Sequence, residues 1–307
     1  MSEKATRHSK VRDYMLLMKF TLSFTVVFSC VISYLLVPGV FFNLKMVSLL
    51  FLGGMLVTGA ANAINQIVEK DTDAMMKRTA VRPIASGRMS VTEGWLFVWV
   101  AGIAGTLIMW YYFNWMAALW SVFSLFLYAY IYTPLKKVNS VAVLVGAVPG
   151  ALPCLIGWVA GADAHTPGGW VLFAIQFFWQ LPHFWAIAWV AHGDYSRAGF
   201  KFMLPTAEGP TKFTAVQTIM YSALLIPICI LPYVLGMTGK ASLILIFFAN
   251  LYMVLQCVRL FRRMDVPSAR RVMFTSYLYL PIVLLFLLWD KGEHGGSLSI
   301  LLGLYGK

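Results

Sequence analysis

Long apolar stretches alternate with short polar ones from one end of the chain to the other. Stretches long enough to cross roughly 30 Å of hydrocarbon as a helix occupy 14–37, 46–68, 91–112, 115–135, 141–160, 169–191, 214–235, 241–260 and 272–289. The pattern therefore predicts an all-α fold, a bundle of nine transmembrane helices. Two polar breaks, 70–90 after the second helix and 192–212 after the sixth, are longer than a turn requires, and long connections in a compact domain often carry function. Pro149, Pro153, Pro182, Pro227, Pro232 and Pro281 fall inside apolar stretches. There a missing backbone donor kinks a helix and frees a carbonyl unless a neighbour covers it, and such kinks suit either a central cavity or ordinary helix packing. A helix followed by a polar loop recurs, which hints at a weak tandem duplication. No soluble domain or low-complexity segment interrupts the pattern, so 1–307 is expected to be a single membrane domain.

Composition agrees with this pattern. The 307 residues are 60% hydrophobic and only 12% charged, with a mean hydropathy of +0.76, whereas soluble domains carry about a quarter charged residues. A soluble globule is excluded. The net charge of +12 need not signal nucleic acid, because cytoplasmic loops of membrane proteins collect Lys and Arg. Of the 24 Lys and Arg residues, only Lys45, Lys240, Lys291 and Lys307 fall on one side of the predicted bundle, and Lys19 falls inside the first helix. The rest gather in the N-terminal segment and in alternate loops, which predicts that segment 1–13 is cytoplasmic and tail 290–307 external, in the cell membrane. The basic start has no small-residue cleavage site after it and reads as a retained anchor. Cys30, Cys154, Cys229 and Cys257 sit singly in apolar runs and read as small buried hydrophobes.

The chemistry is concentrated in Asn62-Ala-Ile-Asn65-Gln66-Ile-Val-Glu69-Lys-Asp71-Thr-Asp73, followed by Met76-Lys77-Arg78-Thr79-Ala-Val-Arg82-Pro83. If the second helix continues to Asp73, then Asn62, Asn65, Glu69 and Asp73 share one face. Carboxylates stacked at that spacing repel unless a cation lies between them, and hard oxygen donors suit Mg²⁺, which shares its shell with water and phosphate oxygens. Lys77, Arg78 and Arg82 follow at once, a combination that fits a diphosphate held by metal and guanidinium together. A solvated mixed-charge loop is the competing account, although polar residues at membrane depth are costly and usually functional.

These residues carry a resemblance. Asn-Gln-x-x-Glu-x-Asp-x-Asp-x-x-Met-x-Arg-Thr-x-x-Arg-Pro, from Asn65 to Pro83, resembles the first motif of the protohaem IX farnesyltransferases (haem O synthases), a branch of the UbiA-type intramembrane prenyltransferases. Generic UbiA-type members carry Asn-Asp-x-x-Asp-x-x-x-Asp, so Gln66 and Glu69 mark the haem branch. Further matches are Tyr132-Thr-Pro-Leu-Lys136-Lys137, Gly146-Ala-Val-Pro149-Gly150-Ala-Leu-Pro153, Trp179-Gln180-Leu-Pro182-His183-Phe184, Asp194-Tyr195-Ser-Arg-Ala-Gly199 and Met203-Leu-Pro205. The second family motif is usually an acidic pair four residues apart, yet Ala198 stands four after Asp194, so a symmetric two-metal site is not expected.

The resemblance implies transfer of a farnesyl group from farnesyl diphosphate to a vinyl group of protohaem IX (haem B), with Mg²⁺ as cofactor. It implies Asn65, Glu69, Asp73 and Asp194 as metal ligands, although Asp194 read alone is equally a helix cap. Arg78, Arg82, Tyr132 and Lys136 would act on the diphosphate; Tyr132 and Lys136 share a helix face, while Lys136 and Lys137 also fit simple anchoring on the positive side. Asn62, Gln66, Lys77 and Lys137 would bind substrate. His183, at membrane depth, is expected to hold or orient haem, with an interhelical hydrogen bond as its alternative. His192 is a second haem contact, with Glu208 as a further polar group in that loop, and His8, His165 and His294 are weak ones. Tyr128, Phe178 and Trp179 are expected along the farnesyl channel. The cavity would open to the cytoplasmic side, the bilayer would surround the chain, and a haem A synthase or haem–copper oxidase assembly would take the product. Two rivals remain: a prenyltransferase acting on a quinone-ring precursor, and a secondary transporter, whose polar cluster would lie nearer the midplane.

Overall fold

A computed structural model of the chain describes residues 9–203 and 209–292. His8, His294, Glu208 and Pro205, the first residues of the N-terminal segment and most of the C-terminal tail lie outside the described residues. The order of elements is α1 (Lys10–Leu17), α2 (Phe20–Leu36), α3 (Leu44–Val68), α4 (Lys70–Ala74), α5 (Val91–Tyr112) and α6 (Trp115–Phe126). A π-helical segment (Leu127–Tyr132) continues α6 into α7 (Thr133–Leu135). Then follow α8 (Ala142–Ala162), α9 (Pro167–Val190), α10 (His192–Arg197), α11 (Lys212–Ile228), α12 (Leu231–Val234), α13 (Lys240–Arg263) and α14 (Val266–Trp289). Among the described residues there is no strand, only an isolated bridge between Thr238 and Lys291. Among the described residues eight spans are long and apolar enough to cross a membrane, and α1 with α2 makes a ninth, bent by 52°. The chain is a multi-pass membrane protein.

The first predicted span is the one that differs. It is not one helix over 14–37: Lys19 takes a left-handed conformation (φ 49°) and the membrane-length part begins at Phe20. A break at membrane depth frees backbone carbonyls that must be met from within the protein. Side-chain amides of α3 meet them: Gln66 Nε2 donates to the carbonyls of Leu16 and Leu17 at 2.9 and 2.8 Å, and Asn62 Nδ2 to that of Met18 at 3.3 Å. The outer part of α1 is held by Asp13 to Arg88 (2.9 Å) and by Lys10 and Tyr14 to Glu93 (3.0 Å each).

The buried centre is α8, whose close packing follows from its small residues. Without hydrophobic drive between helices in lipid, small side chains that let backbones approach decide the packing. A Cβ at Gly157 would sit 1.9 Å from the Cys30 carbonyl of α2, and Gly161, one turn on, faces Tyr34 and Val37. On the side toward α9, a Cβ at Gly150 would meet Gln180 Oε1 at 2.0 Å, and Gln180 donates back to the Ala147 carbonyl at 3.1 Å. Pro149 and Pro153 lie inside α8 without ending it. The carbonyls near them are covered, as Ser124 donates to Pro149 (3.2 Å) and Gln176 to Gly150 (2.7 Å). All four cysteines are buried and unpaired, as expected of small hydrophobes.

Candidate active site

Two cavities meet inside the bundle. The larger, about 740 Å³, is the more polar of the two and is walled by α1, the start of α2, the end of α3, α4, the π-helical segment with Lys136 after it, and the stretch from Tyr195 to Phe202. The smaller, about 280 Å³, runs along apolar stretches of α2, α3, α8 and α9. Leu22, Tyr128, Tyr132, His183, Phe184 and Tyr277 line both, so these six side chains form the seam.

The polar cavity is built on the end of α3, but not as one continuous helix. α3 ends at Val68 and Glu69 caps it outside helical geometry (φ −95°, ψ 13°), after which α4 begins. The Asp73 amide nevertheless donates to the Glu69 carbonyl at 2.7 Å, so the i to i+4 spacing survives the break. Asn65, Glu69 and Asp73 accordingly line one wall, all buried, while Asp71 is exposed. Each oxygen group there has a cation or an amide on it. Asn65 Oδ1 accepts from Lys19 Nζ at 2.9 Å, and Asn65 Nδ2 donates to Glu69 Oε2 at 2.8 Å. Glu69 Oε1 lies 2.6 Å from Lys136 Nζ. Both Asp73 oxygens accept from Arg82 Nη1, at 2.7 and 2.6 Å. Burial pushes the Asp73 carboxyl above the usual carboxylate range, with Arg82 pulling the other way.

The π-helical segment shapes the opposite wall. Such bulges are frequent at functional sites because they re-aim the side chains after them. Tyr128 and Tyr132 stand 5.4 Å apart, and Lys136 Nζ sits 4.9 Å over the Tyr132 ring and 5.5 Å from that of Phe200. Tyr132 fits because residue 146 is glycine: a Cβ there would come within 2.4 Å of the phenol ring. Arg78 also lines the cavity, and its Nη2 donates to the Tyr195 hydroxyl at 3.3 Å.

His183 lies at the seam, buried on α9, its ring stacked on Trp179 at 5.1 Å and edge-on to Tyr277 at 5.0 Å. Its Nδ1 is 2.7 Å from Ser276 Oγ, and that hydroxyl donates to the Met273 carbonyl at 2.6 Å. The hydroxyl proton being committed, the serine oxygen accepts from Nδ1–H. This network assigns the tautomer and leaves the Nε2 lone pair unused.

Not every expected residue reaches the cavity. Gln66 faces α1 and seals the break there. Asn62 is in the apolar cavity wall and accepts from the Tyr128 hydroxyl at 3.4 Å. Lys77 is exposed, and Lys137 turns to Thr72 Oγ1. Asp194 sits in the first turn of α10, paired with Arg197 and outside the cavity wall, and the cap position of its helix is held by Ala191. His192 is half-buried and is not part of that wall either. His165 accepts from Trp120 Nε1 at 2.7 Å, far along the bundle in the turn before α9. Phe178 packs on Tyr221, one residue and so about 100° around the helix from the cavity-facing Trp179. Among its described residues the second long loop contributes Tyr195, Phe200 and Phe202 and no acid, and Lys19 joins the cavity from the break before α2. An intramembrane lysine was the available signal for Lys19.

The donor set suits a hard divalent cation. Asn65, Glu69 and Asp73 present only oxygen, and Glu69 Oε1 is buried with no hydrogen bond aligned on it. No cluster of three His, Cys, Asp or Glu side chains exists among the described residues. A metal held here would rely on one or two carboxylates and complete its shell with water and phosphate oxygens, the habit of Mg²⁺.

Comparison with known proteins agrees with the geometry. The UbiA prenyltransferase family model matches residues 26–280. A protoheme IX farnesyltransferase of Cytophaga hutchinsonii is 42% identical over 92% of this chain and 99% of its own. One of Flavobacterium johnsoniae is 41% identical over 91% of this chain and 94% of its own. Among solved structures, one concerned with digeranylgeranylglyceryl phosphate synthase in membranes superposes with a TM-score of 0.76 at 20% identity, covering 92% of this chain and 98% of that one. A UbiA homologue of Archaeoglobus fulgidus bound to GPP and Mg²⁺ gives 0.61 at 18% identity, covering 90% and 99%. At those identities the structural likeness is one of fold. The helical bundle, the polar cavity at the end of α3 and the family match together establish that the chain belongs to the UbiA prenyltransferase family.

Proposed function

We propose that the chain transfers the farnesyl group of farnesyl diphosphate to a vinyl carbon of protohaem IX, with addition of water, giving haem O and diphosphate. The observation that carries this reading over other prenyl acceptors is His183: a buried imidazole with a free Nε2 at the seam of a cation-rich cavity and an apolar one. Neutral imidazole is a common haem-iron ligand, oriented by the hydrogen bond its other nitrogen makes. The names of the relatives point the same way.

Asn65, Glu69 and Asp73 would hold Mg²⁺, which when bound supplies neutralisation of the charge building on the diphosphate. Lys19, Arg82 and Lys136, freed from those oxygens, would turn to the diphosphate together with Arg78, stabilising it as the C–O bond breaks. The farnesyl tail would occupy the apolar cavity, and the Tyr128 and Tyr132 rings would face the allylic cation. The vinyl π electrons form the new C–C bond, and the cation left beside the porphyrin takes water and loses a proton. Until then the chain's task is to hold two apolar substrates in reach of each other and keep water from the allylic carbon.

The same reading puts the polar cavity and the N-terminus on the cytoplasmic side, as the crowding of basic residues there supports. It treats the chain as one membrane domain and passes its product to a haem A synthase or a haem–copper oxidase assembly. The test is incubation of the purified protein with haem, farnesyl diphosphate and Mg²⁺, followed by mass analysis of the haem. A haem heavier by one farnesyl group and one hydroxyl group supports the assignment. Unmodified haem, with transfer to a quinone-ring precursor instead, overturns it.

A further inference from the structure

The corner between α13 and α14 holds Arg259, Arg262, Arg263, Arg270 and Arg271 on either side of a two-residue turn, with no lysine among them. Asp265 is the one acid in the turn, and its carboxylate caps α14 by accepting from the Ser268 amide at 2.8 Å. None of the five guanidinium groups makes an ion pair or a hydrogen bond with another described residue. Arg259 and Arg263 lie one helical turn apart at the end of α13, and Arg271 lies in the second turn of α14 just across the corner. Arg259 is half-exposed overall, yet its Nε is closed off from solvent and has no acceptor, a costly state for a buried donor. Anchoring on the positive side of a membrane accounts for charge here, but lysine serves that purpose equally well. It does not account for five forked donors crowded together, one with a covered and unmet N–H.

What lies beneath the arginines completes the picture. On α13, Tyr252, Leu255, Arg259 and Arg262 fall at i, i+3, i+7 and i+10, one stripe of the helix; on α14, Arg270 or Arg271, Phe274 and Leu278 make another. Tyr252, Leu255, Phe274 and Leu278 are all more than half exposed. Each stripe is thus apolar and outward-facing at membrane depth and turns to guanidinium at the boundary. Such a stripe suits acyl chains along its first part and a phosphate at its second. Arg is the side chain suited to phosphate, since its planar fork donates two parallel hydrogen bonds.

We propose that the α13–α14 corner is a binding site for the phosphate headgroup of an anionic phospholipid, with Arg259, Arg263 and Arg271 as its core. The site is separate from the prenyl-transfer cavity, whose lining includes none of the five arginines. The test uses the full chain in detergent and native mass spectrometry with added phosphatidylglycerol, phosphatidylcholine or inorganic phosphate. The wild type should retain phosphatidylglycerol in preference to phosphatidylcholine. R259Q/R263Q/R271Q should lose that preference, with binding weakened by roughly a hundredfold for three charges. R259K/R263K/R271K keeps the charge and the topology signal and should fall between the two, so it decides the matter if the glutamine variant does not fold. Equal retention of both lipids by the wild type would overturn the proposal. So would lysine-variant binding at the wild-type level, which would leave only diffuse charge, or displacement of phosphatidylglycerol by an equal concentration of inorganic phosphate, which would make this a free-anion site.

Discussion

Asn65, Glu69 and Asp73 converge although the helix carrying them ends between the first and the last, because the hydrogen bond from the Asp73 amide to the Glu69 carbonyl holds the spacing. Replacing any one of them by Ala should lower turnover by about a hundredfold or more, measured as haem O formed by protein that still elutes as a folded species. Asp71→Ala, at an exposed position, should stay near wild type. At His183 the expected result is a changed Soret band and weaker haem binding in His183→Ala, with binding of farnesyl diphosphate and Mg²⁺ retained. Ser276→Ala should reproduce part of that loss, about fivefold for one hydrogen bond. Much of this was legible: an oxygen stripe at helical spacing can be read from a sequence, and so can a histidine at membrane depth. Gln66 illustrates a signal that was present and outweighed, since a residue next to Asn65 points about 100° away from it and cannot share its face. Lys19 illustrates a partial signal: a lysine within an apolar stretch could be read, but no local rule places it in the left-handed conformation from which it meets Asn65.

At the scale of elements, the helix count was legible because hydrophobic length is a strong signal. The break after Leu17 was not, since apolar residues continue through it and the amides that seal it come from a different helix. The π-helical segment was equally hidden, for its sequence reads as ordinary helix. Packing inside the bundle rests on single glycines. Gly157→Ala should force α2 and α8 apart, because the new Cβ meets backbone, and lower the thermal midpoint by several degrees for a cost of about 1–3 kcal/mol. Gly161→Ala should cost less, since its nearest contacts, at 3.1 Å, are side chains of Tyr34 and Val37 that can give way. Thermal unfolding in detergent of the two variants side by side checks the order.

For the whole molecule, the charge distribution predicts that cysteines placed at Arg78 and Arg197 label from the cytoplasmic side and one at His165 from outside; labelling of all three from one side would reverse the reading of the bundle. Acidity should act through Asp73. Its carboxyl, pushed up by burial, takes a proton at a pH where an exposed carboxylate is still ionised. The Mg²⁺ concentration for half-maximal turnover should therefore rise as pH falls, and Arg82→Gln, which removes the group pulling the carboxyl down, should move that rise to higher pH. The pairing of every site oxygen with a lysine, an arginine or an amide has a thermodynamic consequence of its own. Mg²⁺ arriving alone must displace cations and leave them without counter-charge, and diphosphate arriving alone must strip cations from carboxylates and leave those exposed to each other. Together, each ligand relieves the debt the other creates. Binding of the two should show positive heterotropic coupling, each raising the other's affinity by the same factor as linkage requires, and titration of either in the presence and absence of the other measures it directly.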